Sequence, residues 1–372
     1  MAKTRILYVI TSSGVGGAEK TLFNLLSLLN RDKFEVAGVV SLKPCGEYAE
    51  KIRALGIEVR SLNMGYLPSP FDLGRLAEII RESGADTVHA FLFRAIQFCR
   101  FAKAKTQFRL ISSPRVNYRT RAVPLLWLDK AFHKRDDVTL CESESSAAFM
   151  TRELGYGGVG VIKNGIDTAV WKFSQEERAS ARAALGLAPE TLFLFSSGRL
   201  DEQKGFEYLL RALPEVAGEI KDFRLAIAGE GPLENLLKRM ARESGCEDRI
   251  LFLGRRRDIR QLLCACDVFV LPSLWEGLPN SLLEAMAVGR ACAASGVDGS
   301  RELVADGEHG LLTEAANSHS IAQALLRLAL DGALRARLGA AARLRAENEY
   351  SFGRMMSEYE AVYDGNVHIT GE

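Results

Sequence analysis

The chain has no apolar run near the ~18 consecutive residues that a membrane-spanning helix requires. Its opening residues, Met-Ala-Lys-Thr-Arg-Ile, lack the apolar core and small-residue cleavage site of a secretory signal and lead straight into a strand pattern. There is no Walker pattern, which argues against an ATPase, no low-complexity tract and no short solenoid period. Seven cysteines are scattered, and only Cys264-Ala-Cys266 is close-spaced, with no second pair to complete a zinc site. They read as reduced thiols filling a core. No Ser/His/Asp order and no cluster of metal ligands stands out. These absences leave a cytoplasmic protein of ordinary globular composition, with no metal and no cofactor expected.

What is present is a repeated alternation. The 372 residues suggest two domains rather than one. Apolar strand runs recur at Arg5 to Ile10, Phe34 to Val40, Thr87 to Phe91, Arg109 to Ser113, Val138 to Cys141 and Gly160 to Ile162. The pattern then begins again, at Thr191 to Phe195, Phe223 to Ala228, Ile250 to Phe252, Val268 to Leu271 and Arg290 to Ala294. Amphipathic helical segments separate these runs. Near-continuous apolar strands between such helices predict parallel sheets covered on both faces. The fold class is therefore α/β, as two doubly wound Rossmann-like domains facing a cleft. The boundaries are placed at residues 1–168 and 169–349, with the tail 350–372 returning to the first domain.

Charge is unevenly spread. Residues 1–170 hold 24 Lys and Arg against 17 Asp and Glu, and the remainder holds 24 against 30. Residues 91–135 carry 11 basic side chains and one acid, Asp129, interleaved with Phe98, Phe101, Phe108, Trp127 and Phe132. That combination fits an anionic membrane surface or a pyrophosphate-bearing lipid. A solvated basic face over a normal core fits the composition equally well.

Several strand-end segments have chemistry to offer. Gly14-Val-Gly-Gly-Ala-Glu19 lies between the first strand and the first helix, where open α/β sheets bind phosphates and sugars. It is a poor dinucleotide fingerprint, since Glu19 stands at the third glycine position. Its dull explanation is a tight turn needing positive φ. Gly198-Arg-Leu-Asp-Glu-Gln-Lys-Gly205 places Arg199 and Lys204 across one loop, where both cations can converge on an anion. Alternatively they are two solvated loop charges. Glu276 sits in a Gly/Pro loop after a strand, and Glu284 about one turn inside the following helix. Ser281-Leu-Leu-Glu284 matches a capping box, which would give Glu284 a structural duty instead. Backbone N–H groups near Leu278 to Leu282 form a helix N-terminus suited to an anion. His89 ends a strand, where a lone His is more often core than catalyst. Arg115 and Asn117 follow another strand.

Taken together, these segments resemble the retaining, nucleotide-sugar-dependent glycosyltransferases of GT-B fold, family 4, also called group 1. The resemblance rests on Gly-Gly-Ala-Glu19, on Lys163-Asn-Gly-Ile-Asp167 (Lys where the family has Pro), on Gly198-Arg199 with Lys204-Gly205, and on Glu276 with Glu284 at the E-x7-E spacing. It implies transfer of a hexosyl unit from a UDP- or GDP-linked sugar to a hydroxyl, the acceptor being a lipid-linked or cell-surface polysaccharide precursor. Arg199 and Lys204 would hold the diphosphate, and Glu276 would meet the donor sugar. Gly277, Leu278, Pro279 and Asn280 would present backbone to phosphate and sugar. Glu284 would hold the ribose, Gly254 and Arg255 would line the base pocket, and Gly16 and Gly17 would lie near the phosphate. Many relatives carry His-x-His near position 90. Here the second position is Phe91, so the acceptor side falls to His89, Arg94, Arg115 or Asn117. A sugar-nucleotide epimerase, and a binding protein without turnover, remain as alternatives.

Overall fold

The strands of the second half are apolar throughout because both their faces are covered. In strand β8 (Leu192–Ser197), Leu192 and Leu194 enter one core cluster while Phe193 and Phe195 enter another. Strand β11 (Val268–Leu271) repeats this, with Val268 and Val270 on one side and Phe269 and Leu271 on the other. Side chains alternate with a period of two, so a fully apolar run feeds two cores at once.

The computed structural model describes residues 3–65, 69–115 and 122–366. The chain folds into two compact units, Met1–Asn164 with Gly353–Glu372, and Gly165–Phe352. Among the described residues the first holds seven parallel strands: β1 (Thr4–Ile10), β2 (Phe34–Ser41), β3 (Val59–Ser61), β4 (Thr87–Phe91), β5 (Arg109–Ser113), β6 (Val138–Cys141) and β7 (Val159–Val161). Their order is 3-2-1-4-5-6-7. The second unit adds β9 (Phe223–Ala228), β10 (Ile250–Gly254), β12 (Ala291–Ser295) and β13 (Leu311–Thr313), in the order 10-9-8-11-12-13. Both sheets are doubly wound, with helices in the crossovers. Chain order reverses beside β1 in one unit and beside β8 in the other. At such a switch point the loops leaving two adjacent strands diverge and open a crevice. Among the described residues, no helix is long and apolar enough to cross a membrane.

From Gly353 onward the helix Phe352–Tyr363 belongs to the first unit. Its tyrosines are buried against the sheet: the hydroxyls of Tyr363 and Tyr8 lie 3.2 Å apart, and Arg109 donates to the Val362 carbonyl at 2.7 Å. This packing corrects the expectation for His89. The ring is fully buried, with Nδ1 2.8 Å from the Tyr363 hydroxyl and Nε2 2.8 Å from the Ser113 hydroxyl. Both nitrogens are satisfied inside the core, so His89 has no atom to offer an acceptor. Phe91 is equally buried and packs on it, ring centroids 4.3 Å apart.

The basic segment is corrected too. Arg100 is 1% exposed and bonds Asp129 at 2.7 Å and Asp136 at 2.6 Å. Tyr156 and Gln97 complete the cluster, at 2.8 Å from Arg100 and 2.7 Å from Asp129 respectively. Lys103 pairs with Asp137 and donates to the Arg135 carbonyl. These two cations tie the helix Phe93–Ala102 to the start of β6 and do not form a surface patch. The composition could not show this, because the paired acids at 136 and 137 lie just beyond the basic run.

Burial, with the nearby Arg115 charge second, holds the His89 imidazole well below its ordinary pKa. The folded form then refuses a proton that the unfolded chain accepts below about pH 6.5. Stability from this site is complete above that value and falls as pH drops through it, by up to about 1.4 kcal/mol per pH unit. Urea melts between pH 5 and 8 should show that decline in the wild type and a shallower one in His89→Asn.

Candidate active site

The crevice of the second unit is formed by the loops that leave β8 and β11, and these two loops are laced together. The Leu274 N–H donates to the Gln203 carbonyl at 2.8 Å, and the Gln203 side-chain amide donates to the Trp275 carbonyl at 3.0 Å. Gly205 has a left-handed backbone (φ 59°), and a Cβ there would overlap the Pro272 carbonyl oxygen. The loop after β8 is also held from behind: the Gly198 and Leu200 N–H groups donate to the carbonyls of Ala228, the last residue of β9, and of Glu230 just beyond it. A rigid backbone thus carries the chemistry-bearing side chains.

Lys204 and Glu276 meet at its centre. Lys204 Nζ lies 2.5 Å from Glu276 Oε1, and the two side chains are 17% and 6% exposed. Ser273, fully buried, donates to the same oxygen at 2.6 Å. The Gln203 amide approaches Oε2 at 3.5 Å. Arg199 behaves otherwise: its Nε pairs with Asp201 and its side chain is 69% exposed. The structure therefore does not bring Arg199 and Lys204 onto one point, as the loop spacing suggested. Each cation is held by a nearer carboxylate, since a charge-assisted bond outweighs an open position facing water. Both remain on the one loop that rims the crevice.

The helix that follows begins at Asn280 and ends at Ala287, with Pro279, whose side chain makes no cap bond, at its N-cap. This corrects the capping-box alternative, because Ser281 is already the second helical residue. Glu284 is buried at 8% exposure on that helix. A helix N-terminus carries a partial positive charge. Gly277 lies against Gly299, at the start of the helix Asp298–Leu303; a Cβ on Gly299 would overlap the Gly277 carbonyl oxygen. Leu278 and Pro279 are buried beside it. At the end of β10, the Gly254 carbonyl accepts from the Gly229 N–H at 2.8 Å, and Arg255 is exposed. All donor-side candidates of this half thus stand at strand ends of a single sheet. Cys264 and Cys266 lie elsewhere in the same unit, buried; burial pushes the Cys266 thiol up to about 12. Among the described residues, no group of three or more His, Cys, Asp or Glu side chains is placed to hold a metal.

In the first unit, Gly16 caps the helix Gly17–Leu28 with φ −177°, so the turn does not need a left-handed glycine. The loop is instead crowded by Glu19, whose carboxylate would overlap a Cβ at Gly16. Burial raises the Glu19 carboxyl above its ordinary value. Arg115 takes an unusual left-handed backbone (φ 52°) and donates to Asn164 at 2.8 Å and to the Tyr359 hydroxyl. Burial lowers its guanidinium pKa. Such a backbone costs about 1–3 kcal/mol and persists only where its surroundings hold it. Arg94, half-buried at the start of the helix Phe93–Ala102, reaches the Gly65 carbonyl at 3.4 Å. Asn117 lies outside the described residues. Ser273, Gln203, Asp201 and Gly299 are site residues that sequence reasoning missed. A Ser three residues before an acid just past a strand was the one available signal.

Two family models match this chain, Glycosyltransferase Family 4 over residues 15–170 and Glycosyl transferases group 1 over residues 177–345. The chain belongs to the group 1 glycosyltransferases. Among curated relatives of this glycosyltransferase is the N-acetylgalactosamine-N,N'-diacetylbacillosaminyl-diphospho-undecaprenol 4-alpha-N-acetylgalactosaminyltransferase of Campylobacter jejuni. It is 29% identical over 91% of this chain and 93% of its own. The UDP-Gal:alpha-D-GlcNAc-diphosphoundecaprenol alpha-1,3-galactosyltransferase of Escherichia coli is 27% identical over 90% of each chain. Anabaena HepE, solved in complex with UDP, superposes with a TM-score of 0.85 at 22% identity, over 97% of this chain and 100% of that one. The enzyme is thus a glycosyltransferase with the two Rossmann-like domains of the GT-B fold.

The close approach of Gly299 to Gly277 gives a test of the scaffold. In Gly299→Ala the new methyl must push the Gly277 backbone outward. Glycosyl transfer should fall about 100-fold while the protein still folds, since a misplacement near 1 Å costs about that much in rate at a preorganised site. Unchanged turnover with an unchanged Tm would mean that the Gly277 loop does not meet the substrates.

Proposed function

We propose that this glycosyltransferase moves a hexosyl unit from a UDP-linked sugar to a hydroxyl of a lipid-linked glycan precursor, with retention at the anomeric carbon. The observation that carries the donor side is the Lys204–Glu276 pair on two laced loops, beside the N-terminus of the helix that begins at Asn280. Lys204 and that N-terminus suit a diphosphate, with Arg199 free to swing from Asp201 toward it. Glu276 suits sugar hydroxyls, and Glu284 those of the ribose. Gly254 and Arg255 edge the base. Two relatives named for diphospho-undecaprenol substrates, one of them named for UDP-Gal, support the lipid-linked acceptor and the uridine donor.

The chemistry follows from this set. As the glycosidic bond to phosphate breaks, negative charge grows on the leaving oxygen. Fixed cations and backbone N–H groups stabilise that charge without reorganising. The acceptor hydroxyl attacks from the same face and the leaving phosphate takes its proton, so no protein nucleophile is used. Positioning supplies the rest of the rate. Lys204, Arg199 and the helix N-terminus fill the role a metal would otherwise serve. On the acceptor side Arg115 and Arg94 are the remaining described candidates.

The membrane contact is assigned to the helix Val123–Phe132. Val123 and Trp127 are 64% and 70% exposed, one turn apart, and Leu125 is 38% exposed. Lys130 and Lys134 are exposed beyond them, and the one acid of the helix, Asp129, is buried. Apolar and aromatic side chains with flanking lysines fit an anionic leaflet.

Two outcomes test these assignments. Lys204→Ala should weaken UDP binding at least about tenfold, and Arg199→Ala by several-fold, because charge-assisted contacts to phosphate are the strong ones; unchanged calorimetric affinity in both variants rejects the clamp. Trp127→Ala combined with Lys130→Glu should cut co-sedimentation with phosphatidylglycerol vesicles severalfold while leaving UDP affinity intact. Equal co-sedimentation would remove the membrane assignment.

A further inference from the structure

We infer that Ser273 is the positioning residue for Glu276, holding its carboxylate in aim while Lys204 changes partner. The inference rests on the reading above, in which Glu276 meets the donor sugar and Lys204 the diphosphate. Ser273 lies just past the end of β11 and has no exposure to solvent. Its hydroxyl and the Lys204 ammonium both donate to Oε1, at 2.6 and 2.5 Å. A carboxylate oxygen has two lone-pair sites, so Oε1 is filled. Oε2 receives the Gln203 amide at 3.5 Å, the outer limit of a hydrogen bond, and that amide is already engaged with the Trp275 carbonyl at 3.0 Å. The capacity left for a sugar hydroxyl is therefore on Oε2.

The two donors on Oε1 differ in what they can do next. Lys204 sits on a different loop, at the end of a flexible four-carbon stem, and its ammonium can rotate toward a phosphate. A diphosphate carries more charge than one carboxylate and draws it away. Ser273 stands three residues before Glu276 on the same loop, and its short side chain is enclosed on all sides. When the ammonium leaves, the hydroxyl keeps Oε1 fixed and Oε2 turned outward. Without it, the terminal torsion of Glu276, which has a broad well, loses its restraint. The carboxylate would then still be present but misdirected, a fault that lowers turnover more than affinity.

The test uses the full chain and donor hydrolysis, with UDP-glucose, UDP-galactose, UDP-N-acetylglucosamine, UDP-N-acetylgalactosamine and GDP-mannose as probes. The sugar nucleotide that the wild type hydrolyses fastest is carried forward. Ser273→Ala should lower kcat about 10- to 100-fold, the range that misplaced catalytic geometry produces. KM and calorimetric UDP affinity should stay within about twofold, as expected when an interaction specific to the transition state is lost. Ser273→Thr, which keeps the hydroxyl, should recover most of kcat. In a Glu276→Gln background, Ser273→Ala should cost little more, because a residue acting through another is not additive with it. A wild-type kcat in Ser273→Ala overturns the inference, as does a full additional loss in the Glu276→Gln background. So does a loss that falls on UDP affinity or tracks a lowered Tm without rescue by Thr. If Glu276→Gln itself retains turnover, the reading of Glu276 fails first; if it is inactive and Ser273→Ala is normal, only the present inference fails.

Discussion

The chemistry of the second unit turns on one ion pair, Lys204 to Glu276. Neither side chain could be held there alone. A lone charge at so little exposure would be costly, and removing one partner of such a pair leaves the other uncompensated, at about 3–5 kcal/mol when burial is complete. Each makes the other tolerable, and the pairing sets how close the loops after β8 and β11 can come. The left-handed Gly205 lets backbone meet backbone there and the Gln203 amide bonds across the gap, while the glycine at 299 lets the segment after β12 come up to Gly277. The pair adds little net stability, yet it keeps a cation and an acid ready at a strand-end crevice.

The first unit is organised around buried polar groups of another kind. Arg100 with Asp129 and Asp136, and His89 with Tyr363 and Ser113, are hydrogen-bonded networks inside the fold. A buried network of this kind fixes one arrangement of its elements. Arg115 differs because its backbone is strained while its guanidinium joins Asn164 to Tyr359.

Much of the fold was legible because two-sided strands write themselves as unbroken apolar runs. Phe193 to Phe195 and Val268 to Leu271 could be read for that reason. The three-residue strands Val59–Ser61 and Leu311–Thr313 at the sheet margins are too short to leave such a trace. The site was legible in part. Strand-end placement and the E-x7-E spacing pointed to Glu276 and Glu284, while the capping box at Ser281 was a false lead: the helix starts two residues earlier than that box requires, with Pro279 as its cap. The basic run from 91 to 135 misled in part: Lys103 finds its acid just outside the counted window, and Arg100 is shared between Asp136 outside it and Asp129 within.

The sequence by itself determined two doubly wound sheets, the loops that face their strand ends, and which residue types those loops carry. These depend on local periodicity and on chain order, both of which a string of letters contains. Only the tertiary structure decided that Lys204 binds Glu276 while Arg199 binds Asp201, that His89 belongs to the core, and that Ser273 shares an oxygen with a lysine from a different strand-end loop. Such pairings follow from which strands lie side by side and how far each side chain reaches. Distance in space sets that, and distance along the chain does not encode it.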